Sequence, residues 1–159
     1  DQFGVLSEPG RAPEEIRRAI RIAGDMGLPV MAHANGAETV IAAAEAGVDT
    51  IEHGAYLTRE ALEAMRENNV IWVPTLSTIG NLRGKGRFNE QSVEKILKSA
   101  MDNVALFASM GGFIAPGTDA GAWAVPHGSL TEYALLKQCL GERFVAILDR
   151  GTRELEARF

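Results

Sequence analysis

Four short apolar runs, residues 28–33, 48–53, 70–74 and 113–118, alternate with segments of helical periodicity, and this alternation constrains the chain more than anything else in it. Each run is too short for a helix, and residues 28–33 are apolar nearly throughout, as a parallel strand covered on both faces should be. Between them the period changes. From Pro13, which suits a first helical position, Ile16, Ala19, Ile20 and Ala23 share a face until Gly27 stops the pattern. Val40, Ile41 and Ala44 repeat the device before Gly47, and Ala61, Leu62 and Met65 follow Thr58, a capping residue. Val93, Ile96, Leu97, Ala100, Val104 and Phe107 hold the same spacing before Gly111 and Gly112. Pro74 closes the third run because proline cannot donate to a strand ladder. Residues 76–89 read as a long loop carrying the basic run Arg83-Gly84-Lys85-Gly86-Arg87, and the tail reads as two helices broken around Gly141.

Strand and helix in strict alternation imply an α/β fold with a parallel sheet. Four such βα units are half of a (β/α)8 barrel of the TIM type, whose usual size is ~250 residues. An open, doubly wound four-stranded sheet fits the pattern as well. The expected organisation is one partial-barrel domain over residues 1–159: a loop over 1–12, the βα units over 13–128, and C-terminal helices over 129–159. At 159 residues and 46% apolar composition the chain can bury a core. A half barrel leaves unpaired backbone on its two outer strands. The expected cover is a missing N-terminal half-barrel or a second copy in a homo-oligomer, and a chain that opens on Asp1 rather than methionine agrees with a preceding segment.

Charge and cysteine content narrow the partners. With 16 Lys and Arg against 21 Asp and Glu, the formal charge of −5 offers no general attraction to nucleic acid, so a small-molecule substrate is expected. The single cysteine, Cys139, excludes an internal disulfide framework and a cysteine-rich zinc site, which fits a cytoplasmic protein. On a helix it reads as a small buried hydrophobe rather than a nucleophile. No apolar run approaches the ~20 residues of a membrane span, and Asp1-Gln2-Phe3-Gly4 does not open a signal peptide.

Three of the apolar runs end on side chains that can bind metal. Val30-Met31-Ala32-His33-Ala34-Asn35-Gly36 puts an imidazole at a strand end, Thr50-Ile51-Glu52-His53-Gly54 repeats it, and Gly117-Thr118-Asp119-Ala120-Gly121 substitutes a carboxylate. In a parallel barrel the C-terminal strand ends converge on one mouth, where catalytic groups sit. Imidazole nitrogen and carboxylate oxygen together suit zinc. One such histidine alone reads better as a hydrogen-bonded core or loop residue, whereas the three strand ends together favour a metal site.

These motifs, in this order and with Val73-Pro74-Thr75 between them and Val125-Pro126-His127-Gly128 after, resemble strands five to eight of the amidohydrolase superfamily. The branch they resemble holds imidazolonepropionases and Xaa-Pro dipeptidases. The resemblance implies a hydrolase that cleaves an amide or peptide-like C–N bond with metal-activated water, using one or two divalent ions, zinc foremost. It implies His33, His53 and Asp119 as metal ligands. Asp119 and His53 are the implied catalytic residues, the first moving protons and the second polarising the substrate carbonyl in a one-metal site. His127, Asn35 and Trp123 are the implied substrate contacts, although His127 and Trp123 read equally well as ordinary loop residues. The superfamily's first-strand His-x-His pair and fourth-strand lysine have no counterpart in the sequence. The chain therefore resembles the C-terminal half of such an enzyme and holds part of its site. The rival reading is a noncatalytic half-barrel that acts by assembling with a partner. The basic run at 83–87 reads as a solvated loop in preference to an anion site, and Trp72, inside a strand, as core.

Overall fold

The computed structural model describes residues 10–121 and 124–159. Most of the expected N-terminal loop, and Trp123, lie outside the described residues. Among those described, helix α1 (Pro13–Asp25) leads into strand β1 (Met31–Ala34), α2 (Ala37–Glu45), β2 (Thr50–His53), α3 (Arg59–Glu67), β3 (Ile71–Val73), α4 (Leu76–Gly80), α5 (Glu90–Ser109) and β4 (Phe113–Ile114). Helix α6 (Thr131–Leu140), a 3-10 turn (Gly141–Arg143) and α7 (Phe144–Arg158) complete the chain. The strands lie side by side in the order β1-β2-β3-β4, all parallel. This is half of a TIM-type barrel wall.

Local chemistry accounts for the helix ends. Pro13 occupies the first turn of α1, the Thr58 hydroxyl accepts from the Ala61 amide at the start of α3, and Asn89 Oδ1 accepts from the Ser92 amide at the start of α5. The expected loop at residues 76–89 is corrected at its beginning, where α4 forms because Ser77 finds a partner from far along the chain. The strands are also shorter than their apolar runs, since β4 pairs only through Phe113 and Ile114.

The register puts two rows of side chains on opposite faces. Ala32, Ile51, Trp72 and Ile114 align on the outer face, and the last three are fully buried beneath the helices with Leu62, Met65, Val104 and Phe107. On the inner face Met31, Thr50, Ile71 and Phe113 form one layer, with His33, Glu52 and Val73 above it. Ile71, Val73, Phe113 and Ala115 pack with Leu155 of α7, so the inner face is apolar and covered at β3 and β4. At β1 it is not covered. Met31 is 54% exposed, which corrects the expectation of a strand buried on both faces: nothing among the described residues stands opposite it.

The two sheet edges differ in the same way. Ala115 donates to the Trp72 carbonyl, so strand alternation turns the Ile114 amide and carbonyl away from β3, towards α7. Helix α7 lies there so closely that a side chain on Gly151 would collide with the Ile114 carbonyl. Arg150 donates to the Gly111 and Gly112 carbonyls, and Arg158 to those of Asp49 and Asn69 below the sheet. At the other edge Thr50 and Gly54 donate to Val30 and Ala34, which leaves the backbone of Met31 and His33 facing outward. None of the described helices is long and apolar enough to cross a membrane.

Candidate active site

The polar inner-face residues stand at the C-terminal ends of β1 and β2. His33 shares its pleat layer with Glu52, and its ring meets that of His53 edge-on with centroids 4.3 Å apart. His53 reaches this position by a break in strand geometry: it and Gly54 both adopt positive φ, 73° and 67°. Gly54 is required there, because a Cβ would come within 2.8 Å of Trp72 Nε1, which donates to the His53 carbonyl. The His53 ring is held as well, with Nδ1 2.7 Å from Thr75 Oγ1. When Nδ1–H donates to that hydroxyl, Nε2 keeps its lone pair for an electrophile.

Asp119 also has positive φ, 52°, and stands beyond the end of β4 in a turn whose preceding carbonyl, that of Thr118, accepts from Ser77 Oγ. It lines the same cavity as His33 and His53, a volume of about 800 Å³ walled on the far side by Ile79, Val93 and Ile96 of α4 and α5. The strand ends therefore converge on one mouth, as the barrel reading requires and the rival open-sheet reading does not. His33 and Asp119 are exposed, and His53 is half-buried.

Burial, then the neighbouring His33, hold the His53 pKa below its ordinary value against the opposing pull of Asp119. The imidazole is thereby biased towards the neutral form that binds metal. Glu52 moves the other way: burial raises its pKa, the Thr50 hydroxyl bond opposes this, Asp119 raises it further and His33 lowers it. Two imidazoles and a carboxylate make a donor set that fits a divalent ion of the zinc type. Their closure does not follow: among the described residues no three His, Cys, Asp or Glu side chains come together in a group that could hold a metal.

Of the expected substrate contacts, Asn35 lines the cavity, but its Oδ1 accepts from the Ala55 amide, which ties the β1 turn to the β2 turn. His127 lies outside that cavity, in a separate hollow with Asn81, Lys85 and Thr131. Trp123 is outside the described residues. Within the basic run, Arg87 reaches the cavity wall and stacks on Phe88, while Arg83 turns towards the Gly80 carbonyl and Glu94. Trp72 is fully buried. Cys139 is packed against the core on α6, and burial pushes its thiol up to about 11, which removes it as a nucleophile at neutral pH. Sequence reasoning assigned nothing to Thr75, Ser77 or Glu132, nor to Tyr56, which lines the cavity. The visible signal for Thr75 was its place after Pro74 at a strand end; Ser77 and Glu132 carried none, because their contact spans 55 positions.

A sequence model of the amidohydrolase family matches residues 4–150. The chain belongs to the amidohydrolase family. An uncharacterized protein of Mycobacterium tuberculosis is 29% identical to it over 146 residues, covering 88% of this chain and 39% of the relative. Aspergillus niger ochratoxinase is 34% identical over 68 residues, 43% of this chain and 14% of that protein. In three dimensions the chain resembles a Xaa-Pro dipeptidase with methionine bound in its active site, with a TM-score of 0.80 and 28% identity over 98% of this chain and 40% of that one. Its TM-score against the ochratoxinase structure is 0.66, at 26% identity over 93% of this chain and 32% of that one. This amidohydrolase chain thus spans about 40% of the length of the mycobacterial protein and of the dipeptidase, as a partial barrel does.

Proposed function

We propose that this chain is the part of a metal-dependent amidohydrolase that carries barrel strands five to eight, and that the enzyme hydrolyses an amide or peptide-like C–N bond. One observation carries the reading: His33, His53 and Asp119, 86 positions apart at their extremes, line one cavity at the ends of parallel strands. The similarity to a dipeptidase supports an amide as the bond attacked. His33, His53 and Asp119 would hold a divalent ion, zinc by the donor set. When bound, the ion supplies Lewis acidity to water and to the substrate carbonyl. Asp119, exposed at the cavity rim, accepts the proton of the attacking water and delivers it to the leaving nitrogen. His53, ring-fixed by Thr75, is the group that can orient the carbonyl in a one-metal site. Ile79, Val93 and Ile96 give the cavity an apolar wall.

Zinc titration of the chain tests this, with calorimetry as the readout. Saturable binding that is lost in His33→Ala and in Asp119→Asn supports the reading; a folded chain that takes up no zinc overturns it for these residues. The rival, a half-barrel that acts by assembly, draws on the open β1 edge, where Leu28 and Met31 are each more than half exposed. It predicts self-association or capture of a complementary chain without zinc uptake. Sedimentation of the metal-free chain decides between them.

A further inference from the structure

The turn that follows β3 touches the supports of two site residues at once. Thr75 is buried with a φ of 46°, a conformation β-branched residues avoid, and its hydroxyl holds the His53 ring at 2.7 Å. Two residues on, fully buried Ser77 donates its hydroxyl to the Thr118 carbonyl at 2.8 Å, the peptide that leads into Asp119. The Ser77 amide donates in turn to Glu132 Oε2 at 2.6 Å. Glu132 is a fully buried carboxyl on α6, and its Oε1 has no hydrogen-bond partner among the described residues. Burial pushes its pKa up to about 7, with the Ser77 and Leu76 amides as the main opposing contacts. A fully buried carboxyl destabilises a core unless its bonds compensate, and an apolar residue would serve packing better.

We infer that Glu132 is a positioning residue: by anchoring the turn at 75–77 it couples the orientation of the His53 ring to that of the Asp119 turn. It touches neither residue. Thr75 is the arm towards His53 and Ser77 the arm towards Asp119, so each arm can be cut separately. The inference rests on the proposed function only where metal affinity is read; the coupling itself is measurable in the metal-free chain.

The experiment uses the whole 159-residue chain, with imidazole 15N shifts of His53 and amide shifts of Thr118, Asp119 and Ala120 recorded by NMR. Glu132→Leu keeps the volume and removes the acceptor, and is expected to move both sets of signals together. Thr75→Val should move the His53 ring alone, and Ser77→Ala the 118–120 amides alone. Glu132→Gln, which can still accept from Ser77, should restore both sets. Zinc affinity should fall about tenfold in Glu132→Leu and recover in Glu132→Gln, the scale typical of groups that orient ligands. Changes in Glu132→Leu confined to residues 76–78 would overturn the coupling. Should that variant not fold, an unmoved 118–120 set in Ser77→Ala overturns it equally. If zinc binds none of the proteins while the NMR pattern appears, the metal reading fails and the positioning role stands.

Discussion

The two edges of the sheet are opposites. At β4 the backbone is covered by α7, the inner face is filled by Leu155, and the nearby turn is tied through Ser77 to a buried carboxyl. At β1 the outward backbone of Met31 and His33 faces no described element, and their side chains are exposed. The site spans this divide. His53 and the Asp119 turn are held from the covered side, whereas His33 stands on the open one. Three candidate ligands therefore line one cavity but are held unequally: the fold supports His53 and the Asp119 turn through Thr75 and Ser77, and His33 through neither. The difference separates residues with structural duties from residues free for chemistry.

The largest expected effect tests the covered edge. Gly151→Val should destabilise the chain by about 3 kcal/mol, because overpacking against the Ile114 backbone outweighs the roughly 0.5 kcal/mol that valine gains over glycine in a helix. Urea denaturation measures it. A loss under 1 kcal/mol would mean that α7 can lift off β4, and that the two edges are less different than the contacts indicate.

Next comes the buried carboxyl. A folded-state pKa of about 7 against the ordinary 4.5 means that folded Glu132 retains a proton the unfolded chain has lost. Its contribution is favourable below about pH 4.5 and is lost as pH rises towards and through 7, on the order of 3 kcal/mol from the linkage relation. Glu52, whose pKa is also raised, has the same sign. His53, whose pKa is lowered, has the opposite sign: the unfolded chain takes up the proton more readily, so stability falls as pH drops below its ordinary 6.5. Unfolding midpoints recorded between pH 5 and 8 should show the Glu132 slope, and Glu132→Gln should flatten it.

The histidine pair sharpens the comparison further. His53→Ala should cost roughly 1–2 kcal/mol of stability, since it empties a half-buried position and leaves Thr75 Oγ1 unpaired. His33→Ala, on the open side, should cost under about 0.5 kcal/mol. Both should abolish zinc uptake. Equal stability losses would show that the open edge carries structural load after all. The smallest effect is Met31→Lys, which should leave the urea midpoint within about 0.5 kcal/mol of the parent and reduce any self-association seen by sedimentation.

Much of this architecture was legible from local pattern. The helix from Pro13, the cap at Thr58 and the order of the strands follow from spacing and from residues that act on near neighbours. So did the placing of His33 and His53 at strand ends. The helix at 76–80 is not legible there, because Leu76-Ser77-Thr78-Ile79-Gly80 has no helical signal of its own. Its stabilising partner, Glu132, is a charged residue in what reads as an ordinary amphipathic helix. The exposure of Met31 is illegible for a related reason: an apolar run reports what could be buried, not which element will lie against it.

The sequence by itself therefore determined the alternation of strand and helix, the parallel half-barrel wall and the candidate donors at its rim, because each depends on periodicity and side-chain chemistry along a few consecutive residues. Tertiary structure alone decided that α7 covers one edge while no described residue covers the other, that Glu132 is buried beneath the turn at 75–77, and that His33, His53 and Asp119 face one cavity. Those outcomes depend on where segments dozens of residues apart come to rest, and packing of the inner face, filled at β4 and open among the described residues at β1, sets them.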